Sequence, residues 1–457
     1  MESLAHITSA ISSFLWGWPM IVMLLGTHLF LTIRLRFPQR WILTAIRLSV
    51  RRDPGAAGDV SQFGALATSL AATIGTGNIV GVATAVAFGG PGAVLWCWLT
   101  GVLGMATKYA EGLLAIRYRV KNDRGEMIGG PMYALERGLG MRWLGVLFCV
   151  FTALAALGIG GAVQANSISL LLHESYGISP SLTGLVIAAG VALVVFFGVR
   201  GIARVCTALV PFMAVLYVLG CVYILCVNHA YLWPSLSLIV RSAFSPQAAG
   251  GGLVGGSVMM AARYGIARGL FSNESGMGSA PIVAAAARTS NPVRQALVSS
   301  TGTFWDTVII CALTGLVLVS SIMAHPDIDY SQGGALTHAA FGKIPYVGTA
   351  ILSFGILTFA FSTILGWGYY SGKAMEYVGG RRLIRAYRVV WLVAIYVGSV
   401  MNLSAVWDVS DIMNALMALP NLIALLLLSG VAVRETRHYL WEGRLEDSDE
   451  TLPDSRE

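Results

Sequence analysis

Apolar residues fill this chain in long runs that short polar and charged connections separate. About eleven of the runs extend over roughly 17–30 residues, and each is long enough to cross a hydrocarbon core of ~30 Å as a helix. The pattern predicts an all-α polytopic membrane protein with about 11 transmembrane helices. We place them at 14–36, 62–87, 91–117, 143–172, 183–199, 205–227, 254–288, 299–323, 347–371, 383–401 and 411–433.

Two of these spans are interrupted near their midpoints by glycine-rich, polar sequence. The second span contains TIGTGNIVGV (73–82), and the seventh contains FSNESGMGSAP (271–281). Glycine lets a helix unwind, which leaves backbone C=O and N–H groups without intrahelical partners. Such backbone persists at bilayer depth only where it lines a polar cavity or finds other ligands. The two interruptions predict a binding site, although the glycines of either one alone could serve close helix packing.

The interrupted spans lie five spans apart, which divides the chain into two groups of five. Alternate crossing of the membrane gives the two broken helices opposite directions, as in the inverted repeats of secondary transporters. We therefore predict an N-terminal helix with a basic linker (1–61), a first repeat (62–227), an extracellular connection (228–248), a second, inverted repeat (249–433) and a cytoplasmic tail (434–457). The acidic end of that tail, EDSDETLPDSRE from Glu446, is predicted to be disordered.

Charge is sparse, and its placement predicts the orientation of the chain. Hydrophobic residues make up 56% of the sequence and charged residues 12%, with a formal net charge of +7. Because basic residues follow the odd-numbered spans, the N-terminus is predicted outside and the C-terminus in the cytoplasm. Topology accounts for the positive charge without a nucleic-acid partner. The basic residues are Arg34, Arg36, Arg40, Arg47, Arg51, Arg52, Arg117, Arg119, Lys121, Arg124, Arg200, Arg204, Arg288, Arg294, Lys373, Arg381, Arg382, Arg385 and Arg388.

The first interruption has the chemistry to bind an ion and a carboxylate. Unwinding at Gly75 and Gly77 frees carbonyls that can coordinate a small cation, and the following half-helix presents N–H groups that suit an anion. Asn78 offers an amide donor and a carbonyl acceptor, so it could bind a substrate carboxylate, a cation or the unwound backbone. Capping of the half-helix is an alternative role for Asn78.

Two other spans, the fourth and the ninth, carry polar or aromatic groups that fit a pocket. Gln164 could contact substrate or make an interhelical hydrogen bond. Ser362 and Thr363 place adjacent hydroxyls that would complete an all-oxygen cage for Na⁺, or would bond back to their own helix. Trp367 follows one turn later at a depth that suits the wall of a small pocket.

Charged residues inside the spans have competing interpretations. Glu274 could be a charged ligand, or a carboxylate that a basic side chain such as Arg268 satisfies and that matters mainly for folding, and we favour the structural role. Lys108 and Glu111, three residues apart, are predicted to form a structural ion pair.

Asp306 is a functional candidate because it lies within a span. It could instead bond to Thr303 and Thr307 or lie near the cytoplasmic boundary. No ladder of acidic residues and histidines crosses the spans, so Na⁺ is favoured over H⁺ as the coupling ion.

The interrupted spans also carry a family resemblance. The chain resembles the alanine/glycine:cation symporters, also called the sodium:alanine symporter family. The carrying stretches are TIGTGNIVGVATAVAFGGPGAVLWCWLTGVLGMATKYAEGLLAIRYR (73–119), GGPMYALERGLG (129–140), RGLFSNESGMGSAPIVAAAARTSNPVRQALVSSTGTFWDT (268–307) and FSTILGWGYYSGKAMEYVGG (361–380).

The resemblance implies a leucine-transporter-type 5+5 inverted repeat with one extra N-terminal helix, in a plasma membrane such as the bacterial inner membrane. It implies Na⁺-coupled uptake of a small amino acid such as alanine or glycine. By its motifs, Asn78 and the backbone at Gly77 would hold the substrate carboxylate. The implied pocket residues are Gln164, Thr363, Trp367, Gly276, Met277 and Gly278, and the implied Na⁺ ligands are Thr73, Gly75, Ser362 and Thr363.

One departure from the family affects the expected pocket. Where the family usually has a stretch close to GNMVQAN, this chain has GGAVQAN (160–166), which changes the size or polarity of the site. The alternatives are H⁺ coupling, a different amino-acid substrate and, with less support, a channel. The sequence contains no H-E-x-x-H or G-x-S-x-G motif, so we do not expect an enzyme.

Overall fold

The computed structural model describes residues 2–51, 53, 56–196, 198–244, 258–328, 333–344, 347–401, 404–449 and 451–452. Within these residues the chain is almost entirely helical, with one short antiparallel strand pair in which Val120 faces Ile128. The strands are β1 (Val120–Lys121) and β2 (Met127–Ile128).

Helices follow one another closely along the chain, and several are joined by single π-helical turns. In chain order they are α1 Glu2–Leu15, α2 Trp18–Arg34, α3 Ile42–Val50, α4 Gln62–Thr73, α5 Val82–Gly89, α6 Ala93–Arg117, α7 Pro131–Tyr133, α8 Arg142–Ala155, α9 Val163–Tyr176, α10 Pro180–Phe196, α11 Gly198–Val227, α12 His229–Phe244, α13 Val258–Asn273, α14 Ala280–Ala284, α15 Pro292–Thr303, α16 Ala312–Ala324, α17 Gly333–Gly342, α18 Gly348–Val400, α19 Ser404–Leu427 and α20 Ser429–Thr436. The π-helical segments are Gly77–Gly81, Ala134–Gly138, Ala156–Ala162, Phe304–Cys311 and Arg437–Trp441, and Pro38–Trp41 is a 3₁₀ turn. Non-helical dihedral angles at Gly379 and Gly380 divide α18 into two helices.

Seven helices in the described part of the chain are long and apolar enough to cross a membrane. They are Ile7–Arg34, Arg142–Tyr176, Arg200–Val227, Pro292–Ala324, Gly348–Gly380, Arg382–Val400 and Asp408–Leu427. An eighth is the pair Gln62–Thr73 and Gly77–Gly89, which bends by 54° at its break.

The three remaining predicted spans also coincide with helices, but each departs from a simple span. α6 contains Lys108 and Glu111, α10 has 17 residues, and α13 ends at the second interruption. Positions 254–257 of the predicted seventh span lie outside the described residues. A multi-pass helical membrane protein is thus confirmed, whereas the count of eleven spans stays a prediction.

The distribution of side chains is that of a protein immersed in lipid. Large apolar residues stand on the outer faces of the helices, for example Leu193, Val215 and Val393, each more than half exposed. Buried polar side chains gather instead where the helices meet, as do Asn78, Glu274 and others described below. Apolar exposure of this extent suits a hydrocarbon solvent.

Both interruptions are real breaks in helices. The first break is Ile74–Thr76, between the end of α4 and the π-helical turn that begins at Gly77. The second break is Glu274–Ser279, between α13 and α14. The second break contains positive φ angles at Glu274 (52°), Gly276 (87°) and Gly278 (83°), and glycine is the residue that adopts such angles without steric cost.

The two broken helices run in opposite directions, because the start of the first contacts the end of the second. Val60, just before α4, accepts a hydrogen bond from the backbone N–H of Arg288 at 2.8 Å. The guanidinium of Arg119 donates to the carbonyls of Ala57, Ala285 and Ala287. Burial lowers the pKa of Arg119 to about 10, so the guanidinium stays protonated at neutral pH. We call this side of the molecule the basic end.

Several helices lie in segments that we predicted as connections. α3 follows the first span within the predicted basic linker, α12 occupies most of the predicted 228–248 connection, and α17 lies between the eighth and ninth spans. These helices are too short or too polar to produce a membrane-length apolar run, which is the signal on which the span prediction rests.

The prediction of a disordered tail is wrong for residues 446–449, which are bound to the basic end. The carboxylate of Glu446 contacts Arg51 at 2.7 Å and Arg294 at 3.0 Å. Asn291 donates to the carbonyls of Leu445 and Asp447. Low apolar content disfavours a folded core of its own, but this segment is held by basic and amide side chains of other elements. Positions 450 and 453–457 lie outside the described residues.

Arg294 provides a test of this packing. Its side chain is 3% exposed and pairs with Asp53 and Glu446. Arg294→Met leaves Asp53, whose side chain is only 12% exposed, without its counter-charge, and we expect a loss of about 3 kcal/mol in the free energy of unfolding. Glu446→Gln removes the charge of the outer partner, whose side chain is 61% exposed. This change should lower the free energy of unfolding by at most about 1 kcal/mol. Denaturant unfolding of the purified protein measures both, and equal losses would contradict this assignment.

Candidate functional site

A small cavity lies at the level of the first break, enclosed by α4, α9, α13, α18 and α19. Its volume is about 20 Å³, which is room for a single water-sized group. Both breaks contribute to its wall, together with a tryptophan and two amides. The lining residues are Ala72, Thr73, Gly75, Thr76, Gly77, Ile159, Gln164, Phe271, Ser272, Glu274, Thr363, Trp367 and Asn414. We call it the central cavity.

Five oxygen atoms converge beside the first break. The Ser362 hydroxyl donates to the carbonyl of Ala71 at 3.1 Å, and the Thr363 hydroxyl donates to that of Ile74 at 3.5 Å. Both hydroxyls also donate to the carbonyl of Phe359 at 2.9 Å. The two hydroxyls therefore bond back to their own helix and also reach the broken one. Carbonyl and hydroxyl oxygens are the ligands that hard cations prefer.

The backbone oxygens nearest these two hydroxyls are not those of Thr73 and Gly75, which line the central cavity nearby. The carbonyls beside Ser362 and Thr363 belong to Ala71 and Ile74, whereas we predicted Thr73 and Gly75. The Thr73 hydroxyl turns back to the carbonyls of its own helix. Helix phase decides which carbonyls point at a neighbour, and the sequence does not reveal this phase.

Gly75 has a steric role in the same place. A Cβ atom at Gly75 would lie 2.6 Å from the hydroxyl oxygen of Thr363, closer than non-bonded atoms approach. Glycine thus lets α18 approach the first break, and the prediction that Gly75 and Thr363 lie together agrees with this geometry.

Hydrogen-bond acceptors at the central cavity come from three side chains, those of Gln164, Asn414 and Glu274. Gln164 donates its amide N–H to the Ile159 carbonyl at 3.0 Å, while its Oε1 has no hydrogen-bond partner among the described residues. Asn414 Oδ1 is also buried and without a partner there. The Glu274 carboxylate accepts from Trp367 Nε1 at 3.2 Å and from Ser279 Oγ at 2.6 Å. Buried acceptors without donors are costly, so the cavity favours a ligand that donates hydrogen bonds.

Asn78 is engaged with protein groups and is not among the cavity-lining residues. Its Oδ1 accepts from the N–H of Gly75 at 2.9 Å, and its Nδ2 donates to Asp306 Oδ1 at 2.7 Å. Asp306 also accepts from Ser272 at 3.1 Å and Thr307 at 2.6 Å. The bond to Thr307 agrees with one of our alternatives, whereas Thr303 bonds to Ser275 instead. Asn78 and Asp306 join the first break to α13 and to the π-helical segment after α15.

The predicted pocket residues of the second break lie outside the central cavity. The N–H groups of Gly276 and Gly278 both donate to Glu111, and Met277 is fully buried in the apolar core. A Cβ atom at Gly276 would lie 2.7 Å from Leu24. Of this segment, Glu274 is the residue that reaches the cavity.

Two predicted ion pairs are wrong. No ion pair joins Lys108 to Glu111 in the described part of the chain, because each side chain bonds to the second break instead. Arg268 is not the partner of Glu274, and its guanidinium lies over the ring of Phe271 at 6.0 Å. The i, i+3 spacing of Lys108 and Glu111 places them on one face of α6, but that face is turned towards α13 and α14.

Trp367 lines the cavity, as predicted, and Gly160 lies directly against it. A Cβ atom at Gly160 would be 2.4 Å from the Cβ of Trp367. Glycine at this position thus allows the indole to approach the π-helical segment Ala156–Ala162. The departures from the family are at Gly161 and Ala162, which are not among the residues that line the central cavity, and a Cβ atom at Gly161 would lie 3.2 Å from the ring of Trp391.

Sequence reasoning missed Asn414 and Asn421. Asn421 donates to Glu111 at 2.7 Å and to the Gly276 carbonyl at 2.9 Å, and so holds the second break from α19. The available signal was two asparagines seven residues apart within an otherwise apolar span, SDIMNALMALPNLIALLLL. Two turns of helix separate them, so one helix face reaches both the cavity and the break.

Comparison with solved structures shows the fold. A crystal structure of MhsT in complex with L-phenylalanine aligns with a TM-score of 0.59 at 16% identity, over 87% of this chain and 94% of that one. At this identity the likeness extends to the fold alone.

Comparison with sequences shows the family. A sodium/alanine symporter of Methanococcus maripaludis, AgcS, is 48% identical over 95% of this chain and 96% of its own length. An uncharacterized transporter of Haemophilus influenzae is 48% identical over 98% of this chain and all of its own. The family model described as the sodium:alanine symporter family matches residues 1–452. This chain is therefore a member of the sodium:alanine symporter family.

Proposed function

We propose that the protein is a secondary active symporter that couples Na⁺ entry to the uptake of a small neutral amino acid, alanine or glycine. The observation that carries the proposal is the central cavity at the first break. The five-oxygen cluster lies beside it, and the buried acceptor oxygens of Glu274, Gln164 and Asn414 belong to residues of its lining. Family membership supports the substrate class and the coupling ion.

The transported Na⁺ would bind among the five oxygens beside the first break. In the structure, the hydroxyls of Ser362 and Thr363 lie within hydrogen-bonding distance of carbonyls. Rotation of the hydroxyls would turn their lone pairs inward and leave the carbonyls of Ala71, Ile74 and Phe359 free to share one ion. An all-oxygen shell of this kind suits Na⁺.

The amino acid would lie in the central cavity with its two charged groups at opposite walls. Backbone at Thr76 and Gly77 begins a half-helix, whose first N–H groups suit the carboxylate. Glu274, Gln164 and Asn414 would accept from the ammonium group. The volume of about 20 Å³ means that the cavity must widen for any substrate, which favours the smallest side chains.

The fold suggests how the site would open alternately to either side. We propose eleven spans arranged as a 5+5 inverted repeat, 62–227 and 249–433, after one extra N-terminal helix, with the two breaks as hinges. The basic end would face the cytoplasm, which places the N-terminus outside and the tail inside. A bacterial inner membrane is the proposed location.

Uptake into proteoliposomes tests the function. We expect radiolabelled alanine and glycine to accumulate under an inward Na⁺ gradient and not under an equal K⁺ gradient, because the ion site lies beside the substrate. Accumulation driven by a pH gradient instead would establish H⁺ coupling. Flux that does not saturate or concentrate would indicate a channel.

The ion site makes a separate prediction. Ser362→Ala and Thr363→Val each remove one ligand oxygen and should weaken Na⁺ affinity about tenfold, equivalent to ~1.4 kcal/mol. Thr358→Val is the matched control, because this hydroxyl bonds one turn earlier to the carbonyl of Phe354. Na⁺ titration of substrate binding measures the effect, and unchanged Na⁺ dependence in both site variants would remove these hydroxyls from the ion site.

The ammonium site is tested by removing its acceptors. Glu274→Gln and Asn414→Leu should lower alanine affinity about tenfold to a hundredfold, because hydrogen bonds to a charged group contribute ~1.5–3 kcal/mol. Propionate, which lacks the amino group, serves as the reference ligand in calorimetry. If alanine keeps its full advantage over propionate in both variants, its ammonium group binds elsewhere.

A further inference from the structure

Two full charges on α6 face the second break. Gly104, Lys108 and Glu111 are spaced four and three residues apart and therefore share one face of this helix. A Cβ atom at Gly104 would lie 2.9 Å from Ser275 Oγ, so glycine permits α6 to approach the break closely. Lys108 is 3% exposed and Glu111 is 2% exposed.

The two charges bind opposite kinds of backbone group. Lys108 Nζ donates to the carbonyl of Glu274 at 3.3 Å, directly after the C-terminus of α13. Glu111 Oε1 accepts from the N–H groups of Gly276 at 3.1 Å and Gly278 at 3.0 Å. A cation is favoured at a helix C-terminus, and a carboxylate is a strong acceptor for free backbone N–H groups.

The first break is satisfied in a different manner. Its backbone bonds to neutral side chains, the hydroxyls of Ser362 and Thr363 and the amide of Asn78. Carbonyls held by neutral groups can exchange those contacts for an ion. Carbonyls and N–H groups held by buried full charges have partners that are far costlier to displace.

We propose that Lys108 is a resident cation of the second break, the covalently attached counterpart of the Na⁺ that binds at the first. Resting on the proposed function, this assigns Lys108 as a positioning residue for Glu274. Its ammonium fixes the Glu274 carbonyl, while the carboxylate of the same residue faces the central cavity. The second break then binds no cation from solution. The carboxylate of Glu111, which accepts from the N–H groups of Gly276 and Gly278, balances the positive charge of Lys108.

Chemical rescue tests the proposal. Lys108→Ala removes the ammonium and leaves space that methylammonium or ethylammonium can fill. We expect Lys108→Ala to bind alanine at least tenfold more weakly and to regain most of this affinity in millimolar ethylammonium, with no gain from choline, which is too large. Lys108→Arg, which keeps the charge, should retain more affinity than Lys108→Met. Lys343→Ala, at an exposed lysine paired with Asp327, is the control and should respond to none of the amines.

A second readout separates this proposal from the proposed function. The melting temperature of Lys108→Ala without substrate should rise with ethylammonium, while that of the unmodified protein should not. This measurement stands even if the protein carries neither alanine nor glycine. The proposal would be overturned if Lys108→Met bound alanine as tightly as the unmodified protein does. It would also be overturned if alkylammonium changed neither the melting temperature nor the alanine affinity of Lys108→Ala. A Lys108→Ala variant that folds only when ethylammonium is supplied would support it.

Discussion

The structure depends on one constraint: backbone polar groups within a membrane need partners supplied by the protein. A continuous helix meets this requirement by itself. This chain breaks two helices near their midpoints, and the surrounding elements provide what the missing turns no longer do. At the first break the partners are neutral hydroxyls and an amide, and at the second they are a lysine, a glutamate and an asparagine.

This asymmetry gives the two breaks different capacities. In the proposed function, the first break would exchange its hydroxyl contacts for an ion, because both states would leave its carbonyls satisfied. The second break is fixed by buried charges on α6, and it positions Glu274 at the cavity wall. A binding site built from both thus has one adaptable side and one rigid side, which suits a site that must close around its ligand and then release it.

Glycines determine how closely the helices can supply these partners. Gly75 admits Thr363, Gly104 admits Ser275, and Gly160 admits Trp367, each at a distance that a Cβ atom would prevent. These close approaches place α6 and α18 against the breaks, and they place α18 against the π-helical segment Ala156–Ala162. Small residues thus contribute to the site through the contacts that they permit between other side chains.

The sequence by itself determined the class of protein, most of the spans, the two breaks and six of the residues at the cavity, namely Thr73, Gly75, Gly77, Gln164, Thr363 and Trp367. These follow from hydrophobic length, glycine content and motif, which are properties of local sequence. The partners were decided by the tertiary structure: the carbonyls of Ala71 and Ile74 beside Ser362 and Thr363, Asn414 at the cavity, and Lys108 and Glu111 bound to the second break. Helix phase and the packing of distant helices select these partners, and neither is encoded in a single stretch of sequence. The acidic tail shows the same division, because its composition predicted disorder while basic side chains from elsewhere in the chain hold it in place.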